Sequence, residues 1–154
     1  ISKYKTLASD MVGKVSFFSQ TANSLTDDDV RISKRLYVPY KKLRGFQKGK
    51  VGPKDIESYI GGNYVSTLNF STTLPQILPS FQNTDFSFFI DMANVWGVDY
   101  DSSLDDRSAI RSSTGLSIDL LTPIGPLNFS FAETLNQASS DKTESFRFNI
   151  GTSF

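Results

Sequence analysis

The chain has 154 residues, 16 basic and 16 acidic, with 38% hydrophobic residues and neither Cys nor His. That length suits one domain, and a formal net charge of zero gives nucleic acid no electrostatic footprint. Disulfides, thiol chemistry and His-based acid–base catalysis are excluded, and no apolar run approaches the roughly 18 residues of a transmembrane helix.

Alternating runs dominate the chain from its first residues. A weak run near Lys5 to Phe18 sets Val15 and Phe17 against Lys14 and Ser16. The stretch from Thr21 to Ser58 is far too long for a hairpin loop, and such lengths are usually functional. Asn63 to Leu74 then places Tyr64, Leu68, Phe70 and Leu74 on one face and Asn63, Thr67, Asn69 and Ser71 on the other. A moderate turn from Leu74 to Thr84 holds Pro75 and Pro79. In Asp85 to Ala93, Phe86, Phe88, Ile90 and Met92 oppose Asp85, Ser87, Asp91 and Ala93, with Phe89 an apolar intruder on the polar face.

Gly97 to Ser108 is a polar connection. Ile110 to Leu120 alternates Leu116, Ile118 and Leu120 with Gly115, Ser117 and Asp119, and Thr122-Pro123-Ile124-Gly125-Pro126 is a tight turn. Leu127 to Phe131 alternates with Asn128 and Ser130, and Asn136 to Lys142 is a second polar connection. The last ten residues, Ser145 to Phe154, set Phe146, Phe148, Ile150, Thr152 and Phe154 against Ser145, Arg147, Asn149, Gly151 and Ser153. Ten residues at about 3.3 Å each and about 45° tilt span roughly 23 Å, the depth of a membrane strand. An edge strand of a soluble sandwich has the same alternation.

Six strands are therefore expected, with short turns at one end and long loops at the other. Their polar faces carry hydroxyls, amides and acids and little Lys, which suits a confined hydrated lumen better than bulk water. The 13 Phe and 6 Tyr suit a lipid-facing band. Asp91 stands mid-strand among apolar residues, and a carboxylate there is costly unless paired and hydrogen-bonded. Arg44, in the long loop, is a candidate partner because its guanidinium can bind a carboxylate by two parallel bonds. The Asp27-Asp28-Asp29 run lacks the alternating ligand spacing of a calcium loop and reads as a solvated loop. No nucleophile–base pair is evident, so an enzyme is not expected, and no metal or cofactor is implied.

Leu43-Arg44-Gly45-Phe46 followed by Val51-Gly52-Pro53 resembles the sixth extracellular loop of the BamA family, the central barrels of the bacterial outer-membrane β-barrel assembly machine and members of the surface-antigen superfamily. The resemblance continues in order through Gly61-Gly62-Asn63, then Phe88 to Trp96, Arg111 and Gly115, Thr122 to Ala132, and Phe148 to Phe154. It covers roughly Arg35 to Phe154. Ala93 stands where the family usually has Gly, and Val38-Pro39-Tyr40-Lys41-Lys42 where it often has a Gly-Gly pair.

The resemblance implies an all-β fold: the C-terminal segment of a transmembrane antiparallel β-barrel, about six strands that form an open curved sheet when taken alone. Residues 1–154 would be the C-terminal part of one barrel domain, with Ile1 a cut end and further strands and periplasmic domains upstream. It implies that Arg44, Gly45 and Phe46 reach into the lumen and meet Asp91 as a tether. It also implies that Phe148, Ile150, Gly151 and Phe154 form a terminal signal and one side of a lateral seam, with Gly151 weakening or bending the strand. The function implied is folding and insertion of β-barrel proteins in the bacterial outer membrane. The implied partners are nascent barrel proteins, accessory assembly lipoproteins and the lipid bilayer, with no nucleic acid. A polypeptide-translocating relative of the same superfamily shares the loop and the strand Asp, and a passive porin or a soluble β-sandwich binding module are the remaining alternatives.

Overall fold

Side chains that alternate across an extended backbone build one sheet with two unlike faces. The computed structural model describes residues 1–8, 11–25, 28–75, 83–104, 108–123 and 125–151. Its strands are β1 (Ser2–Ala8), β2 (Met11–Thr21), β3 (Lys54–Asp55), β4 (Ser58–Tyr59), β5 (Tyr64–Thr73), β6 (Thr84–Trp96), β7 (Arg111–Thr122), β8 (Gly125–Asn136) and β9 (Phe146–Ile150). Seven of them form one antiparallel sheet in the order β1-β2-β5-β6-β7-β8-β9, and β3 and β4 make a small separate hairpin. The all-β, open-sheet expectation therefore holds. The sheet has one strand more than the alternation suggests, because the weak run near Lys5 to Phe18 is two strands paired as a hairpin.

Register places the faces. On the outer face one row runs Phe88, Leu116, Phe131 and Phe146 across four strands, and the next runs Phe86, Ile118, Phe129 and Phe148. Phe131 is 51% exposed and Phe146 50%, while Phe148 stacks on Phe129 at 4.9 Å. On the inner face Asp91, Arg111, Ser113, Ser117, Ser130 and Arg147 are buried. Exposed aromatic rows over a buried polar face reverse the order of a water-soluble sandwich and match a barrel wall in lipid. Tyr64 and Trp96 stack at the end of β5 and β6 nearest the long loop, where amphipathic rings suit a membrane–water interface.

The buried apolar cluster lies on the inner face. Leu43, Phe46 and Val51 of the long loop pack on Ala93 of β6, with Val38 alongside. The loop is thus held in the sheet's concavity by burial as well as by polar contacts. The departure at Ala93 adds one methyl to this cluster.

Strand ends follow local chemistry. Thr122 pairs with Gly125 across the tight turn, where Gly125 has φ +118°, and Ile124 lies outside the described residues. So do Pro79, Asp27 and Phe154. Of the ten residues expected in the last strand, β9 covers Phe146–Ile150, and residues 152–154 lie outside the described residues. Gly151 follows with φ +107°, a left-handed conformation that a side chain resists.

Candidate functional site

The long loop leaves β2 at Thr21, enters the concavity, and returns to β5 at Tyr64. Pro39 starts a 3₁₀ turn over Tyr40–Lys42, which aims the following residues at the sheet. At the tip, Gly45 takes φ +86°, and a Cβ there would lie 3.1 Å from the Cβ of Ser113 and 3.2 Å from that of Ala132. Both the backbone conformation and the close approach to β7 and β8 call for glycine.

The tip meets one row of the sheet. Register aligns Ser16, Asn69, Asp91, Ser113 and Thr134 across five strands. Each of the five touches the loop. Lys42 Nζ donates to Ser16 Oγ at 3.2 Å, and Asn69 Nδ2 donates to the Lys42 carbonyl at 2.6 Å. Arg44 Nε and Nη2 donate to Asp91 Oδ2 and Oδ1 at 2.7 and 2.8 Å. Ser113 Oγ donates to the Arg44 carbonyl at 2.5 Å, and Thr134 Oγ1 to the Gly45 carbonyl at 3.3 Å.

Asp91 is 0% exposed, yet its carboxylate accepts four hydrogen bonds. Two come from the Arg44 guanidinium, one from the Arg44 backbone N–H at 3.1 Å and one from Asn69 Nδ2 at 2.9 Å. A buried acid is tolerable on those terms. Phe89, the apolar residue on the polar face, lies under the Arg44 guanidinium, 3.5 Å from ring centroid to the central carbon. Gly115 makes room for it: a Cβ there would come within 2.8 Å of the Phe89 ring and 2.0 Å of the Phe131 carbonyl.

The structure thus brings Arg44, Gly45, Phe46 and Asp91 together. Phe148 and Ile150 point away from them, on the outer face. Gly151 marks the bend after β9 and donates its N–H to the Pro126 carbonyl at 2.9 Å.

Two further arginines hold the loop, and their partners escaped the sequence reading. Arg111 and Asp141 form a fully buried ion pair, with Nε to Oδ2 at 2.9 Å and Nη2 to Oδ1 at 3.2 Å. Asp141 also accepts the backbone N–H groups of Gly52 at 3.1 Å and Ala138 at 2.7 Å, so it ties the returning loop to the β8–β9 connection. Arg147, on the inner face of β9, donates to the Tyr40, Leu43 and Phe46 carbonyls. An arginine on the polar face of a membrane strand was the available signal. What its partner would be was not visible.

At the loop end of the sheet, Asp99 accepts from the Val30 N–H at 3.0 Å and from Asn63 Nδ2. Burial raises its carboxyl pKa, but these bonds and the nearby Arg35 charge outweigh it and hold the group below its ordinary value. Among the described residues no cluster of acidic side chains is arranged to hold a metal. The arrangement anchors a loop.

The Omp85 superfamily domain matches residues 1–154. The chain is similar to the outer membrane protein assembly factor BamA of Neorickettsia risticii, 28% identical over 128 residues that cover 81% of this chain and 17% of that protein. It is similar to BamA of Neisseria meningitidis serogroup B, 26% identical over 141 residues, 73% of this chain and 17% of that protein. A crystal structure of BamA from Haemophilus ducreyi lacking POTRA domains 1–3 superposes with a TM-score of 0.86 at 26% identity, over 96% of this chain and 32% of that one. The chain therefore spans 17% of the length of these curated relatives.

Proposed function

The chain belongs to the Omp85 superfamily, and on that premise we propose that it is the C-terminal part of an outer-membrane barrel that folds and inserts other β-barrel proteins into the bacterial outer membrane. The observation that carries this reading is the loop tip fixed to one polar row of five strands, centred on Arg44 and Asp91. A passive pore does not call for an Arg-Gly-Phe loop paired with an inner-face Asp. Nascent outer-membrane barrel proteins, accessory assembly lipoproteins and the bilayer are the partners of this reading, and no catalytic step belongs to it.

The mechanism follows from strand edges. β9 is the last strand of the sheet and pairs on one side with β8. In hydrocarbon an unpaired row of N–H and C=O groups is intolerable, so such an edge templates another strand. Phe148 and Ile150 present an apolar outer surface to lipid at that edge, and Gly151 ends it in a bend. Arg44, Gly45, Phe46 and Asp91 act as the tether that keeps the wall behind the edge in one shape.

Replacing the chromosomal copy with an Arg44→Ala variant tests the reading. Folded barrel proteins in the outer membrane should fall while the variant itself is still inserted. Normal barrel levels alongside a periplasmic build-up of one exported polypeptide would point to a translocating relative instead. Photocrosslinking from position 149 to a nascent barrel should succeed, and no adduct while assembly proceeds would sink the seam.

A further inference from the structure

We infer that Arg147 is a positioning residue that couples the docked loop to the terminal strand, so that release of one releases the other. Arg147 is 4% exposed and makes four charge-assisted hydrogen bonds. Nε donates to Glu144 Oε1 at 2.7 Å, Nη1 to the Tyr40 carbonyl at 2.6 Å, and Nη2 to the Leu43 and Phe46 carbonyls at 3.3 and 2.6 Å. Its guanidinium also stacks on the Tyr40 ring at 3.7 Å. Three of those acceptors bracket Arg44, so the strand side chain reads the backbone on both sides of the loop tip.

Within the described residues the sheet holds the strand it belongs to along one edge, through β8. The ladder of β9 with β8 runs from Leu127–Ile150 to Phe131–Phe146, and the Ala132 and Gly151 N–H groups extend it by donating to the Ser145 and Pro126 carbonyls, each at 2.9 Å. Before Ser145 the chain pairs with the loop instead. Thr143 bridges Phe46, the Glu144 N–H donates to the Gly45 carbonyl at 3.0 Å, and the Gln47 N–H donates to the Lys142 carbonyl at 2.9 Å. Opposite Arg147 on β8 stands Ser130, small enough to leave the guanidinium its path to the loop. The terminal strand is therefore anchored by the sheet on one side and by the loop on the other. When the loop leaves, a buried guanidinium loses all three carbonyls at once, which destabilises β9 in the same event.

Its consequence, that docking of the loop controls the seam, rests on the assembly reading above; the coupling itself does not. Hydrogen–deuterium exchange on the intact protein in lipid nanodiscs tests it without reference to activity. Arg44→Ala, which removes a side chain paired with Asp91 of β6, should speed exchange of the β9 amides roughly tenfold together with those of residues 40–50, the factor expected when a charge-assisted bond is lost. In an Arg147→Gln background Arg44→Ala should add little at β9. Reciprocally, Arg147→Gln alone should speed exchange at the loop tip. Acceleration confined to the loop in Arg44→Ala, or equal acceleration of β9 with and without Arg147, would overturn the proposal. Should Arg147→Gln fail to fold, Glu144→Gln, which removes the carboxylate that orients the guanidinium, takes its place with the same expected pattern.

Discussion

The Arg44 guanidinium and the Asp91 carboxylate meet edge to edge, at 2.7 and 2.8 Å, and the Arg44 backbone N–H shares the same carboxylate. One acid thus fixes both the side chain and the main chain of a loop tip that lies 47 residues away in sequence. Bidentate geometry sets direction as well as distance, which a lysine in place of Arg44 would not.

Removing both partners of this pair should do less harm than the two single removals added together. Arg44→Ala leaves the Asp91 carboxylate buried with Asn69 as its remaining side-chain donor, and breaking such a pair costs about 3–5 kcal/mol. Arg44→Ala combined with Asp91→Asn should cost clearly less than the two singles added together. Urea unfolding in lipid vesicles measures the cycle, and strict additivity would show that the pair does not act as a unit.

The Arg111–Asp141 pair is the second lock. Arg111→Met should leave a buried carboxylate supported only by backbone N–H groups, at a cost of about 3–5 kcal/mol. Limited proteolysis should then cut the loop between residues 48 and 59 while the β5–β6 hairpin stays protected. Equal protection in variant and parent would refute the lock.

Gly45→Ala should undock the tip although both residues of the ion pair are unaltered. The left-handed backbone alone costs about 1–2 kcal/mol for a residue with a Cβ, and Ser113 and Ala132 crowd the new atom. Trypsin cleavage after Lys41 or Lys42 should quicken, and an unchanged rate would show that the tip has room to spare.

The two faces should respond oppositely to charge. Phe131→Arg puts a cation on the outer face, where the penalty reaches about 2–4 kcal/mol near the bilayer midplane. Asn149→Lys, on the inner face, should cost far less. Folding yields into vesicles of defined thickness compare the two, and equal yields would contradict the assignment of faces.

Acid should loosen the end of the sheet nearest the loop. The Asp99 pKa is depressed in the folded state, so its contribution is fully present above the unfolded value near about 4 and is lost as pH falls through the lower folded value. Amides around Val30 and Asn63 should exchange faster on acidification, and Asp99→Asn should remove that pH dependence. A pH response that survives Asp99→Asn would assign the effect to another group.

Much of this was legible beforehand where the signal was local. The two faces of β5 to β8 follow from period-two alternation, which belongs to the extended backbone itself. Phe89 broke that alternation, and the break marked the floor of the Arg44 site. The doubled strand at the start was misread because Lys3 and Lys5 blur the apolar face, so one hairpin looked like a single weak run. The positive φ of Gly151, which interrupts the terminal alternation, has no signature in the period of two.

By itself the sequence determined the all-β class, the apolar and polar faces, the Arg-Gly-Phe tip and an inner acid in need of a partner. Each of these is written within about ten neighbouring residues, the reach of strand periodicity and turn chemistry. Only the tertiary structure decided that Ser16, Asn69, Asp91, Ser113 and Thr134 share one row, that Arg111 finds Asp141, and that Arg147 grips the loop. Those choices depend on strand register and on the path of a loop more than 30 residues long, and neither is encoded in any one stretch of the chain.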